Sequence, residues 1–178
     1  MDSDSITVFK GDTSRLKNVI PIQERVESTF YQKEVARIFK KAWLIIGSAE
    51  DLIEIGSYKV VDVPPLKASL LIVRSDDNQI RVFHNVCRHR GDKLVHEEHG
   101  CKKSFTCRFH AWTYSNSGNL TGVTDSTQFK GLDKEKMSLV EVQSEVWENI
   151  VFVNFDKSPS QTLKEWLGPI YDQYSGFS

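Results

Sequence analysis

Four residues in two short stretches are of the types that bind transition metals. The first stretch reads Cys87-Arg88-His89-Arg90-Gly91 and the second Cys107-Arg108-Phe109-His110-Ala111-Trp112, with seventeen residues between His89 and Cys107. Each stretch offers one thiolate and one imidazole. A zinc site of the finger type takes a cysteine pair from one knuckle and a histidine pair from the other, because each pair chelates a single tetrahedral ion. Mixed pairs in both stretches point instead to two adjacent metal atoms, each drawing ligands from both loops.

A Rieske [2Fe–2S] centre has that requirement, since one iron keeps two Cys ligands and the other takes two His ligands. Two loops clamped side by side would each send a cysteine to one iron and a histidine to the other. Exchanging two thiolates for neutral imidazoles also brings the oxidised cluster from a charge of about −2 to near zero, which eases entry of an electron.

Residues from about 43 to 155 resemble the Rieske domain of the non-haem iron ring-hydroxylating oxygenases, in their large (α) subunit. The resemblance rests on Asn85-Val86-Cys87-Arg88-His89-Arg90-Gly91, on Cys107-Arg108-Phe109-His110-Ala111-Trp112-Thr113-Tyr114, and on Val146-Trp147 with Ile150-Val151-Phe152-Val153-Asn154. It implies that Cys87, His89, Cys107 and His110 hold the cluster. Trp112, just beyond the second ligand loop, is then expected to shield it. Tyr114 is expected either to donate a hydrogen bond to a ligand sulfur or to pack in the sheet. Cytochrome-complex Rieske proteins carry an extra disulfide at the positions of Asp92 and Phe109, and a serine donor at the position of Trp112. Neither feature is possible here, so the expected potential lies near the low end of the Rieske range, roughly −150 mV.

The resemblance further implies a relay of electrons from a reductase or ferredoxin to a mononuclear non-haem Fe(II) that activates dioxygen. That iron would lie in a catalytic domain of the same or a neighbouring α subunit, for which the chain to Ser178 leaves no room. The pattern departs from the family at Arg108, where Pro is usual, at Ala111, where Gly is usual, and near Glu148-Asn149, where Gly is again usual. Ala111 is the informative departure, because a Cβ disfavours positive φ. Either the loop does not need that conformation at Ala111 or it is slightly displaced.

The elements that must position these residues can be read from periodicity. Tyr31, Val35, Ile38 and Phe39 recur at helical spacing between Ser28 and Lys41, with Ser28 or Thr29 available as N-cap. β-rich runs follow at Trp43–Gly47, Tyr58–Val63, Leu70–Val73, Ile80–Phe83, Ser138–Val142 and Ile150–Phe155. Ser75-Asp76-Asp77-Asn78 reads as a hairpin turn, and Pro64-Pro65 as a loop. Leu163, Trp166, Leu167 and Ile170 predict a second short helix that Gly168-Pro169 bends or ends. The expected fold is mostly β, a Rieske-type antiparallel sandwich or barrel flanked by an N-terminal and a C-terminal helix. The expected division is residues 1–42 as an N-terminal extension, 43–156 as the Rieske domain, and 157–178 as a linker towards a catalytic domain.

Composition narrows the setting. The chain has 178 residues, 39% of them apolar, with 23 Lys and Arg against 24 Asp and Glu. Such a chain can bury a real core, and a net charge of −1 gives no reason to expect nucleic acid or a membrane surface as partner. The longest apolar runs are far too short to cross a bilayer. With no apolar stretch behind Met1-Asp2-Ser3-Asp4-Ser5, a cytoplasmic location is expected. Locally, seven cations against three carboxylates between Arg81 and His110 give an excess of four positive charges, which would steer an acidic redox partner. Cys101, His84, His96 and His99 lack the paired setting of the four ligands and are read as an ordinary thiol and surface histidines. Two competing readings are a stand-alone Rieske ferredoxin, which lacks the flanking helices, and a structural zinc module.

Overall fold

A computed structural model describes residues 26–176. The expectations on the first five residues, and most of the N-terminal extension, lie outside the described residues. Ten strands in chain order are β1 (Leu44–Ser48), β2 (Ser57–Val63), β3 (Ala68–Arg74), β4 (Ile80–His84), β5 (His99–Cys101), β6 (Ser104–Thr106), β7 (Thr113–Ser115), β8 (Leu120–Gly122), β9 (Gln143–Trp147) and β10 (Ile150–Asn154). They form three antiparallel sheets, ordered β1-β10-β9, β4-β3-β2-β5 and β6-β7-β8.

The β3 strand shows why the layers stack. Leu70, Leu71, Ile72 and Val73 are all buried, and alternation sends them to opposite faces. Leu70 and Ile72 join Ile46, Val82, Val151 and Val153 in a core against the β1-β10-β9 sheet. Leu71 and Val73 join Tyr58, Phe83, Phe105, Trp112, Tyr114 and Leu120 in a core beneath the metal-binding stretches. The sandwich half of the expectation therefore holds. Among the described residues no sheet closes on itself, so there is no barrel: closure needs an unbroken ring of strand pairing, and these sheets keep free edges.

Further differences have local causes. The run Ser138–Val142 makes a single bridge, Phe83 to Glu141, instead of a strand. Its backbone bonds are divided among Leu139 to Gly118, His84 to Val140 and Val142 to Val82, so no ladder extends. The first helix, α1 (Ser28–Glu34), gives way to a π-helical turn over Val35–Phe39, closed by the Lys40 amide donating to the Val35 carbonyl. Its N-cap is Glu27, not Ser28 or Thr29, and Tyr31 and Ile38 stay about half exposed. The wider π turn takes Ile38 out of line with Tyr31.

At the other end Thr162 and Glu165 form a reciprocal capping box in front of α2 (Leu163–Leu167). Gly168, at φ 54°, breaks the helix before α3 (Pro169–Gln173). Leu163 is buried against Trp43 and Phe152, which ties this segment to the sheet. Among the described residues no helix is long and apolar enough to cross a membrane.

Candidate metal centre

The two cysteine–histidine stretches are folded alike. The first leaves β4 and is closed by a bridge between Val86 and Lys93; the second turns between β6 and β7. In the first, the Cys87 amide donates to the Asp92 carbonyl at 2.8 Å and the Gly91 amide to the Cys87 carbonyl at 3.0 Å. In the second, the Cys107 amide donates to the Trp112 carbonyl at 2.8 Å and the Ala111 amide to the Cys107 carbonyl at 2.9 Å. Each turn needs a left-handed residue four places after its cysteine: Gly91 at φ 79° and Ala111 at φ 53°. The loop thus does require positive φ at Ala111, and the chain accepts an alanine there. Glu148 and Asn149, at φ 47° and 59°, are the same kind of departure in the β9–β10 turn.

Left-handed backbone costs a residue with a Cβ about 1–2 kcal/mol, and glycine gives back about 0.5–1 kcal/mol through its looser unfolded chain. Ala111→Gly is therefore expected to stabilise the apoprotein by about 0.5–1 kcal/mol. Gly91→Ala, where a Cβ meets open space, should destabilise it by a similar amount through strain alone. Urea unfolding of the two variants checks both signs.

The loops bring like donors together. Cys87 and Cys107 are both buried and adjacent: burial pushes the Cys107 thiol up, and the Cys87 sulfur adds to the rise. The His89 and His110 rings lie 4.5 Å apart, edge to face. Burial lowers the His89 imidazole, as do the charges of His110 and Arg90. Its Nδ1 atom is buried and has no hydrogen-bond partner. An orphaned buried nitrogen costs about 1–3 kcal/mol unless something outside the chain takes its lone pair. Among the described residues no three His, Cys, Asp or Glu side chains converge to hold one ion. Two thiols on one side and two imidazoles on the other suit a group with two metal atoms. The donor set fits a [2Fe–2S] centre.

Neighbouring aromatic rings fix the imidazoles. Trp112 is fully buried and stacks on His89 at 4.8 Å with an interplanar angle of 11°. Phe129 stands edge-on to both rings, at 5.6 Å from His89 and 5.5 Å from Trp112. Phe109, 61% exposed, leans on His110. The two imidazoles open onto a groove of about 580 Å³ that Arg90, Arg108, Phe109, Asp125 and Phe129 also line. On the sulfur side, the Arg88 amide donates to Tyr114 Oη at 3.0 Å, which leaves the phenol proton for Cys87 Sγ at 3.4 Å. Burial next to that sulfur raises the Tyr114 phenol far above its ordinary range, so the proton stays.

Phe129 does not figure in the sequence reading, and Asn85 figures there only as part of the first ligand motif, with no function of its own. Asn85 is 1% exposed, and its carboxamide both accepts from the Val95 amide and donates to the Val95 carbonyl, each at 2.8 Å. It clasps the ends of the first ligand loop. The excess of positive charge is partly used up within the fold. Arg81 pairs with Asp77 and Glu141, Lys93 with Asp62, and Lys102 and Arg108 with Glu97. Glu97 is held down to about 2 by a hydrogen bond from its own amide, and next by Lys102. Among the described residues Arg88, Arg90 and Lys103 make no ion pair, and the first two flank His89.

The family model of the Rieske [2Fe-2S] domain matches residues 42–144. The α subunit of biphenyl 2,3-dioxygenase from Rhodococcus jostii (strain RHA1) is 32% identical over 168 residues, which cover 94% of this chain and 35% of that subunit. The oxygenase subunit of carnitine monooxygenase from Escherichia coli (strain K12) is 30% identical over 146 residues, 82% of this chain and 38% of that subunit. The crystal structure of naphthalene 1,2-dioxygenase from Rhodococcus sp. bound to indole superposes with a TM-score of 0.80 at 27% identity, over 85% of this chain and 34% of that one. The chain spans about a third of the length of the curated relatives it matches.

Proposed function

The chain belongs to the Rieske [2Fe-2S] domain family, and from that premise we propose that it is the electron-relay region of an oxygenase α subunit. One observation carries the reading: two equivalent loops pair thiol with thiol and imidazole with imidazole, leaving a buried His89 nitrogen without a protein partner. Likeness to an α subunit over 168 residues, well beyond the 42–144 match, favours this over a stand-alone ferredoxin. Residues 43–156 are taken as the cluster domain, with 1–42 and 157–178 as flanks. In this reading Cys87 and Cys107 hold one iron, and His89 and His110 the other. When bound, such a cluster takes up and returns one electron.

The chain's own residues tune and direct that exchange. Trp112 and Phe129 fix the His89 ring plane and keep water from its buried edge. The histidine groove would face the catalytic domain of the same or a neighbouring subunit. The unpaired Arg88 and Arg90 would steer an acidic reductase or ferredoxin in a cytoplasmic setting. Tyr114 favours the reduced state by donating to Cys87 Sγ. A hydrogen bond of about 0.5–1.5 kcal/mol corresponds to about 20–65 mV in a one-electron couple. Tyr114→Phe is expected to lower the midpoint potential by that amount, which a spectroelectrochemical titration reads directly.

The test of the function is anaerobic reconstitution with iron and sulfide, followed by dithionite reduction and low-temperature EPR. About two irons and two sulfides per chain and a rhombic signal of low average g are expected. A colourless protein that takes up only stoichiometric zinc would overturn the reading.

A further inference from the structure

The two cysteines differ in what faces them. Tyr114 Oη donates to Cys87 Sγ, whereas the Cys107 thiol donates to the carboxylate of Asp92 at 3.8 Å, a proton that iron ligation would remove, leaving the carboxylate facing a bare sulfur. Asp92 is half-buried and held in place through its carbonyl, which accepts the Cys87 amide at 2.8 Å. Its charge is not neutralised nearby. The adjacent Lys93 is turned to Asp62 at 3.8 Å, and among the described residues no cation stands at ion-pair distance from Asp92. Cys107 is only 2% exposed, so solvent reaches the pair from the Asp92 side alone.

We propose that Asp92 is a positioned negative charge that acts through Cys107 to hold the reduction potential of the Rieske centre low. The inference rests on reading Cys107 as a cluster ligand. A fixed carboxylate beside a thiolate ligand disfavours the state that carries one more electron, opposing the phenol at the other cysteine. Asp92 is a tuning residue acting through Cys107, separate from the four ligands. Asn at this position keeps the shape but brings an N–H donor of its own, so Ala is the variant that isolates the charge.

The experiment is a one-electron spectroelectrochemical titration of the reconstituted chain, with dithionite as reductant, for the unsubstituted protein, Asp92→Ala, Asp92→Asn and Asp92→Glu. Ala and Asn are expected to raise the equilibrium constant for reduction about tenfold, about 59 mV, while Glu stays within about threefold of the parent. A Rieske EPR signal in all four with Ala at the parent potential would overturn the proposal and leave the ligand reading intact, even if Asn alone shifted. A parent chain without a Rieske signal would overturn both. Circular dichroism of each apoprotein separates a change in potential from a change in fold.

Discussion

Replacing His89 by alanine is expected to abolish the Rieske spectrum completely while leaving a folded apoprotein. The two halves of that result have separate causes. In the apoprotein His89 contributes little net stability: its ring stacks on Trp112, worth about 0.5–1.5 kcal/mol, but its buried Nδ1 has no partner, which costs about 1–3 kcal/mol. Deleting the side chain removes both, so the apoprotein melting temperature should move by no more than a few degrees. The bound state answers differently, because an iron left with one imidazole where two are needed loses its closed coordination. Binding that exists only in the folded state raises stability by mass action, so the parent should melt well above its own apoprotein. For His89→Ala that gap should vanish. His110→Ala should behave alike, and Cys101→Ser, at an exposed edge strand, should leave visible absorption and iron content unchanged. An unaltered spectrum in His89→Ala would remove this residue from the ligand set.

What the sequence made legible follows from where each signal resides. The four donors could be read because ligation demands those residue types at restricted spacing, whatever the surroundings. Strands β2, β3, β4 and β10 could be read because β-branched and aromatic residues in runs of five to seven fit only a half-buried pleat. Strands β5 to β8 escaped because each has three residues and at most one buried side chain; in β5 all three are exposed. Three residues carry no periodicity, and their pairing is decided by tertiary contact. The same applies to Phe129, which reaches His89 from an irregular segment, and to Asp92, whose meaning depends on which sulfur it faces. Ala111 runs the other way. Its departure from glycine left two conformations open, and the hydrogen bonds shared with the first loop decide for the left-handed one.

Asn85 lies outside the ligand set, yet its loss should cost a large share of the stability. Its carboxamide satisfies both the N–H and the C=O of Val95, ten residues along, and among the described residues neither group makes another hydrogen bond. Asn85→Ala strands two buried backbone groups at about 1–3 kcal/mol each, so a destabilisation of about 2–6 kcal/mol is expected. At about 2–4 °C per kcal/mol for a chain of this size, the melting temperature should fall by roughly 4–24 °C. Asn85→Asp distinguishes the clasp from mere volume. It preserves size and still accepts from the Val95 amide, but it turns an oxygen towards the Val95 carbonyl, so it should recover only part of the loss. The clasp also closes the loop that carries Cys87 and His89. Both variants should therefore release iron to a chelator faster than the parent, in the order Ala then Asp. If Asn85→Ala melts within about 1 kcal/mol of the parent, the loop is held by its aromatic floor and not by this pair of hydrogen bonds.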